Sequence, residues 1–188
     1  NGIWKRESNR GFELKNKTIG LIGYGNTGKS LAKKLIGLNV NIIFYDIKSI
    51  KKDKYARPVS LNYLKDNSDV ISLHVSMTKE SNGLIDKDFI ESCKKPFWLI
   101  NTSRGDCVIM SDLIKGLKSE KVLGAGLDVI AFEKKSFEKL SVNENDQFSL
   151  DYLNSSSNVI LTPHIAGWTH ESKMGLVKIA LKKIKKLL

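Results

Sequence analysis

Two kinds of segment alternate along the chain. Short runs of apolar and β-branched residues predict six strands, at 18–23, 40–45, 70–75, 97–100, 122–127 and 159–161. Between them, apolar positions at helical spacing predict helices at 27–38, 86–93 and 111–119, and a weaker one at 61–65. Because the strands are apolar almost throughout, both faces of their sheet must be covered. The pattern therefore predicts an α/β domain with a doubly wound parallel sheet in three layers.

Two segments depart from this alternation. Residues 132–158 are rich in Asn, Ser and Glu and lack strand periodicity, which predicts a long surface excursion with a short helix or two. Residues 169–188 place apolar side chains at helical spacing, with lysines opposite. This predicts a surface helix that packs against the sheet, in preference to one that binds a membrane.

Length and composition fit one globular domain, because 41% of the 188 residues are hydrophobic and 27% are charged. The formal net charge of +11 would permit nucleic-acid binding. The lysines are spread along predicted surfaces with no aromatic residues among them, so we expect neither a nucleic acid nor a membrane as partner. Cys93 and Cys107 lack metal-ligand spacing. We interpret them as reduced thiols of a cytoplasmic protein.

A glycine motif follows the first predicted strand. Gly23, Gly25 and Gly28 form G-x-G-x-x-G where the helix pattern begins, which is the context of a dinucleotide fingerprint. The first glycine permits a tight turn, the second lets the backbone approach a pyrophosphate, and the third lets helix and strand pack closely. The amides that follow Asn26 would face the phosphates at a helix N-terminus.

An acidic residue supports this interpretation. Asp46 ends the second predicted strand, 18 residues beyond Gly28. There a carboxylate can accept hydrogen bonds from the adenosine ribose and repel a 2′-phosphate. We therefore predict NAD rather than NADP as the cofactor, and Lys48, Lys51 and Lys52 nearby leave only a minor route to tolerance of NADP.

Polar residues also follow the strands of the second half, where ligands bind in this architecture. They are His74, Arg104, Asp128 with Glu133, and His164. An arginine could hold a carboxylate bidentately, and a histidine with a carboxylate beside it could exchange a proton with a hydroxyl. Together they predict interconversion of a hydroxyl and a ketone beside a nicotinamide. Each also has an ordinary structural explanation, and spacing alone does not bring Glu133 to His164.

Six ordered motifs carry a resemblance over nearly the whole chain: GYGNTG, YDIK, SLHVSMT, LINTSRGD, GAGLDVIAFE and LTPHIAGWT. Together they resemble the cofactor-binding domain of the D-isomer-specific 2-hydroxyacid dehydrogenases. The resemblance implies a Rossmann fold, NAD as cofactor, no metal, and hydride exchange with a small 2-hydroxy or 2-oxo acid. Members that oxidise D-3-phosphoglycerate in serine biosynthesis provide the first expectation for the substrate, with glyoxylate, hydroxypyruvate and D-lactate as rivals.

The resemblance also implies roles for individual residues. Arg104 matches the arginine that binds the substrate carboxylate and carbonyl, Glu133 the carboxylate that supports the catalytic histidine, and His164 that general acid and base. Asn26, Thr27 and Asp46 match contacts with the pyrophosphate and ribose. The implied cofactor-binding set is Gly23, Gly25, Asn26, Thr27, Gly28, Asp46, His74, Val75, Thr102, Ser103, Arg104, Asp128, His164, Ile165, Ala166 and Gly167.

The chain also differs from the family pattern. Ser76 and Lys134 stand where proline is common, and the stretch between Glu133 and His164 is longer than in the simplest members. Family enzymes close a second domain over the substrate. We expect residues 1–188 to be the cofactor domain alone, with 1–13 as the tail of a crossing segment. Such a domain should bind NAD but catalyse poorly.

Two further implications follow from the resemblance. Family members usually form dimers through this domain, so we expect a homodimer. Some relatives use the same fold as transcriptional corepressors, which leaves an NAD-sensing interaction module as the alternative to an enzyme.

Overall fold

The computed structural model describes residues 6–7, 10–133 and 143–185. These residues form a seven-stranded parallel sheet with the strand order β3-β2-β1-β4-β5-β6-β7. The strands are β1 Thr18–Ile22, β2 Asn41–Tyr45, β3 Arg57–Pro58, β4 Val70–Leu73, β5 Phe97–Asn101, β6 Val122–Leu127 and β7 Val159–Leu161. Helices flank the sheet, so the predicted doubly wound α/β class is confirmed.

The prediction of six strands was wrong by one. The additional strand, β3, has only two residues and pairs with the end of β2 at the edge of the sheet. So short a strand produces no periodic pattern, and its Pro58 is tolerated because one side of an edge strand needs no partner.

The helices of the described residues are α1 Asn26–Leu35, α2 Leu61–Asn67, α3 Lys87–Ser92, α4 Met110–Lys118, α5 Glu144–Ser155 and α6 His170–Ile184. Asp86, predicted inside α3, instead caps it, because its side chain accepts a hydrogen bond from the backbone N–H of Phe89 at 2.8 Å. Helix α5 lies in the predicted excursion, whose residues 134–142, with Lys134, lie outside the described part. Among the described helices, none is long and apolar enough to cross a membrane.

The two faces of the sheet are covered unequally. On one face, α2 to α5 enclose the larger core, which contains Ile71, Leu73 and Leu99 from the strands. On the other face, Ala32 of α1 packs with Leu21 and other residues of β1 and β2. Since both faces receive apolar side chains, the near-continuous apolar strands of the sequence are explained.

Part of the second face is open. A groove of about 550 Å³ runs over β4 to β7, where Ile160 is 71% exposed. Helix α6 follows β7, but none of its residues is buried, and Leu176 is 71% exposed. The expectation that this helix packs its apolar side against the sheet is therefore not met in this chain.

Candidate active site

The strand order creates a crevice between β1 and β4. From β1 the chain winds through β2 and β3 on one side and then crosses to β4 on the other. All seven strands are parallel, so the loops after their carboxyl ends share one edge of the sheet. Ligands of doubly wound proteins bind at this edge. The predicted site residues all lie on these loops or at the beginning of α1.

The glycine loop fits a pyrophosphate. Gly23 has φ +91°, and a Cβ atom there would lie 2.5 Å from the carbonyl oxygen of His74. A Cβ on Gly28 would collide with the carbonyl of Gly23, so the helix presses directly on the turn. At Gly25, the N-cap of α1, no described atom lies within 4 Å of the Cβ position. The amides of Asn26 and Thr27 thus begin a helix whose N-terminus borders open space.

Asp46 lies directly after β2, beside this loop. Its Oδ2 accepts a hydrogen bond from the backbone N–H of Tyr24 at 2.7 Å, and its Oδ1 accepts one from the N–H of Lys48 at 2.8 Å. The two backbone donors orient the carboxylate and leave further lone pairs for ribose hydroxyls. The residues present therefore fit the adenosine side of a dinucleotide.

His74 and Val75 follow β4 on the opposite side of the crevice. The Nε2 of His74 lies 3.0 Å from the hydroxyl of Ser72, and the backbone N–H of His74 donates to the carbonyl of Ile22. Burial lowers the pKa of His74 to about 4, so the imidazole is neutral near pH 7. The side chain of Val75 packs against the larger core. His74 is therefore a neutral polar group in the wall of the crevice.

The loop after β5 carries Arg104 and is shaped by a residue that sequence reasoning missed. Asn101 is fully buried, and its Oδ1 accepts hydrogen bonds from the N–H and the hydroxyl of Ser103, both at 3.0 Å. Its Nδ2 donates to the carbonyl of Arg104 at 2.9 Å. Thr102 and Arg104 are exposed at the rim, where the Arg104 guanidinium also donates to the Ser103 carbonyl. A polar residue ending an apolar strand was the available signal for Asn101.

Glu133 and His164 are in direct contact, although 31 positions separate them. The His164 Nδ1 lies 2.7 Å from Glu133 Oε2, and Glu133 Oε1 accepts a hydrogen bond from the N–H of Ile130 at 2.8 Å. The side chain of His164 is 27% exposed and that of Glu133 is 14% exposed. Glu133 is thus held by the backbone on one oxygen and orients the imidazole with the other.

Asp128 follows β6 and is buried beside the turn after β7. Its Oδ1 accepts hydrogen bonds from the Thr162 hydroxyl at 2.6 Å and the Ile165 N–H at 2.8 Å, and its Oδ2 accepts one from the Ala166 N–H at 2.9 Å. Its carbonyl accepts the N–H of His164, which has φ +54°. Asp128 therefore shapes the turn that presents His164, and the turn continues into the open Gly167.

Two contacts join the Arg104 loop to the loop that carries Glu133. A Cβ on Gly105 would collide with the backbone of Ile130, so these two segments touch. The N–H of Asp128 donates to the carbonyl of Asn101 at 2.9 Å. Arg104, Glu133 and His164 consequently lie on three adjoining loops at one edge of the sheet. Within the described residues, no group of His, Cys, Asp and Glu is arranged to hold a metal ion.

Comparison with known families agrees with this geometry. The model of the NAD-binding domain of D-isomer-specific 2-hydroxyacid dehydrogenases matches residues 1–166. The chain belongs to this family. The resemblance to this family is confirmed, and NAD is the cofactor of the domain.

Two dehydrogenase relatives illustrate the range of the family. D-3-phosphoglycerate dehydrogenase 1 of Saccharomyces cerevisiae is 35% identical over 176 residues, which are 93% of this chain and 38% of that protein. The glyoxylate reductase of Thermococcus litoralis is 37% identical over 179 residues, which are 93% of this chain and 50% of that protein. The chain thus spans half or less of the length of these two relatives.

Solved dehydrogenase structures share the fold. D-lactate dehydrogenase with NAD⁺ from Lactobacillus jensenii superposes with a TM-score of 0.83 at 30% identity, covering 95% of this chain and 55% of that one. D-lactate dehydrogenase from Aquifex aeolicus, complexed with NAD and lactic acid, gives a TM-score of 0.83 at 31% identity, covering 98% and 57%. The Rossmann-type architecture is therefore that of the family's NAD-binding domain.

Proposed function

We propose that the whole protein is an NAD-dependent dehydrogenase that interconverts a small D-2-hydroxy acid and its 2-oxo acid. The observation that carries this proposal is the contact of Glu133 with His164, beside the Arg104 loop and on the same edge as the glycine loop. A guanidinium, an imidazole and a carboxylate so arranged suit the oxidation of a hydroxyl next to a carboxylate.

His164 exchanges the proton in this mechanism. Glu133 accepts a hydrogen bond from the Nδ1–H of His164 and so directs Nε2 toward the substrate hydroxyl. As the hydroxyl is oxidised, His164 takes its proton, and the carboxylate of Glu133 stabilises the imidazolium that forms. NAD supplies the acceptor for the hydride that leaves the substrate C2. In the reverse direction His164 returns the proton to the carbonyl oxygen.

Arg104 binds the substrate in this mechanism. Its exposed guanidinium can hold the substrate carboxylate in a bidentate pair and stabilise the negative charge on the oxygen that becomes the carbonyl. Asn101 positions the loop by accepting from Ser103 and donating to the Arg104 carbonyl. The substrate thus lies between the loops after β5 and β7.

We place D-3-phosphoglycerate first among the substrates. The support is the similarity to D-3-phosphoglycerate dehydrogenases of Saccharomyces cerevisiae and Dictyostelium discoideum, which would assign the protein to serine biosynthesis. Glyoxylate, hydroxypyruvate and D-lactate remain rivals, since relatives at 36–37% identity are called glyoxylate reductase and hydroxypyruvate reductase.

A panel assay tests the proposed activity. We expect the full-length protein to consume NADH with at least one of 3-phosphohydroxypyruvate, hydroxypyruvate, glyoxylate and pyruvate, followed by absorbance at 340 nm. We propose that residues 1–188 alone bind NADH and turn over poorly, because the family resemblance implies a second domain that closes over the substrate and excludes water. NADH binding by the full-length protein without turnover of any member would favour the NAD-sensing module.

We also propose that the protein forms a homodimer, with a second copy over the open part of the sheet. Phe12 is 78% exposed there, and its ring lies against Trp98 with 5.6 Å between the centroids. Monomeric proteins rarely leave a large contiguous apolar patch in water. Light scattering of the full-length protein at micromolar concentration should give twice the subunit mass, and a single subunit mass contradicts the proposal.

A cytoplasmic location is proposed from the two cysteines. Cys93 and Cys107 are both free thiols in the core, and burial raises the pKa of Cys93 to about 11. Reduced buried thiols fit a reducing compartment. Thiol titration of the unfolded protein taken from cells should find both thiols free, whereas a disulfide would contradict this location.

A further inference from the structure

A large aromatic side chain lies inside the phosphate loop. Tyr24 stands between Gly23 and Gly25, and only 3% of its surface is exposed. Two flanking glycines give the loop backbone much conformational freedom, yet a binding site works best when its donors are already in place. Because the glycines do not restrict the loop backbone, the contacts of Tyr24 must hold it in one conformation.

Three contacts fasten Tyr24 to β2 and to the chain after it. Its backbone N–H donates to Asp46 at 2.7 Å. Its ring stacks on Phe44, with 3.9 Å between the centroids and 8° between the planes. Its hydroxyl donates to Asp53, whose two carboxylate oxygens lie 3.1 and 3.2 Å away. The loop that borders the pyrophosphate site is thus attached to the strand that ends at Asp46.

The carboxylate of Asp53 accepts hydrogen bonds from groups in separate parts of the chain. Its Oδ1 accepts the backbone N–H groups of Tyr55 at 2.8 Å and Ala56 at 3.1 Å. Its Oδ2 lies 3.2 Å from Nζ of Lys29, which is the fourth residue of α1. The side chains of Tyr24, Asp53 and Lys29 therefore connect the phosphate loop, the segment after β2 and helix α1.

The protonation states of this group suit hydrogen bonding. Burial raises the pKa of the Tyr24 phenol, and the hydrogen bond and charge of Asp53 raise it further. Burial alone would raise the pKa of Asp53. The hydrogen bonds that its carboxylate accepts, chiefly from the N–H of Tyr55 and the ammonium of Lys29, lower the pKa overall. The phenol is therefore a donor and Asp53 a charged acceptor near pH 7.

We propose that Tyr24 is a positioning residue for the cofactor, which acts through Asp53 and Lys29 to hold the phosphate loop in register with Asp46. The pyrophosphate and adenosine ribose of NAD then meet a surface that is already formed, and less free energy is lost in ordering it on binding. The proposal rests on NAD as the cofactor and is independent of the substrate.

The test removes single hydrogen bonds and measures nucleotide affinity in the full-length protein. Tyr24→Phe keeps the ring stack and the backbone N–H but loses the hydroxyl. We expect its Kd for NADH, from fluorescence titration at 15 °C, to rise about three- to tenfold, the size of one ordinary hydrogen bond. ADP should lose affinity by the same factor. Asp53→Asn should raise the Kd for NADH by a similar factor. In the double variant, the rise in Kd should not exceed the product of the two single increases.

A matched control separates positioning from general stability. Tyr63→Phe also removes a hydroxyl from a charged partner, Arg57 at 3.2 Å, but on the exposed side of α2. It should leave NADH affinity unchanged. An unchanged Kd in Tyr24→Phe and Asp53→Asn, with only the melting temperature lowered, overturns the proposal, as does a loss for NADH without a loss for ADP. Absence of NADH binding by the unaltered protein would instead remove the cofactor assignment on which the proposal rests.

Discussion

The two halves of the site are built in different ways. The cofactor half lies in one stretch, from Gly23 to Asp46, in which β1, the glycine loop, α1 and β2 follow one another. The catalytic half brings together Arg104, Glu133 and His164 from the loops after β5, β6 and β7. The first half depends on backbone geometry that glycines permit. The second half depends on catalytic side chains that are held in the correct orientation by other side chains.

This difference determines what each half requires. An anion site at a helix N-terminus needs correctly placed amides and empty space, and Gly25 provides the space. A proton-exchanging imidazole needs its ring held in one orientation, which Glu133 and the turn fixed by Asp128 provide. The cofactor half should therefore tolerate changes in the catalytic half, and the two can be separated by experiment.

The largest expected effect is on catalysis alone. In the full-length protein, His164→Asn should lower kcat by about 10²- to 10⁴-fold, the usual contribution of general acid–base catalysis. Its Kd for NADH should change far less than kcat, because His164 lies outside the phosphate loop. Steady-state kinetics and fluorescence titration measure the two quantities. Glu133→Gln serves as the milder companion variant, and equal losses of kcat and NADH affinity would contradict the separation.

A complementary variant should affect binding alone. Gly25→Ala adds a methyl group to open space, so the free protein should keep its melting temperature, while the methyl occupies the path of the pyrophosphate. We expect NADH affinity to fall by about a hundredfold or more. Gly37→Ala, where the Cβ position is also open, is the matched control and should change neither quantity. Normal NADH binding by Gly25→Ala would show that the phosphates lie elsewhere.

The turn behind His164 gives a smaller effect, on stability. Asp128→Asn replaces one carboxylate oxygen with an amide that cannot accept the N–H of Ile165 or Ala166. Leaving such a buried donor unsatisfied should lower the free energy of unfolding by about 2 kcal/mol. Urea unfolding measures this loss, with Asp151→Asn on the exposed side of α5 as control. A loss below about 0.5 kcal/mol would show that Asp128 does not organise the turn.

The smallest expected effect is on the pH dependence of stability, through His74 in the wall of the crevice. Burial lowers the pKa of His74 to about 4 from 6.5, so the unfolded chain binds more protons between these values. Stability should therefore fall as the pH drops from 6.5 toward 4, by about 1 to 2 kcal/mol between pH 7 and pH 5. His74→Gln should remove this part of the loss in urea unfolding. An identical pH dependence in the variant would mean that His74 is not the group responsible.

The same contrast explains how far the sequence could predict the molecule. Apolar runs located six strands, and the local motif from Gly23 to Asp46 indicated a dinucleotide site, because its geometry depends on neighbours in the chain. The two-residue β3 left no periodic trace. The contact of Glu133 with His164 depends on how β6 and β7 align, which residue spacing does not encode.

Residues that act through others were the hardest to predict. Asn101 ends an apolar strand and Tyr24 lies between two glycines, and the role of each follows from its hydrogen bonds. For Asp128, the sequence indicated a position near the nicotinamide but not the hydrogen bonds that its carboxylate accepts from Thr162, Ile165 and Ala166. Helix α6 has the expected period but no partner surface among the described residues, which periodicity cannot show.

A crystal structure of the full-length protein with NAD and a 2-hydroxy acid bound would locate both ligands. We expect the pyrophosphate on the amides of Asn26 and Thr27 and the ribose on Asp46. We also expect the substrate hydroxyl within about 3 Å of His164 Nε2, with the substrate carboxylate on Arg104. A nicotinamide ring bound away from His164 and Arg104 would contradict the proposed active site.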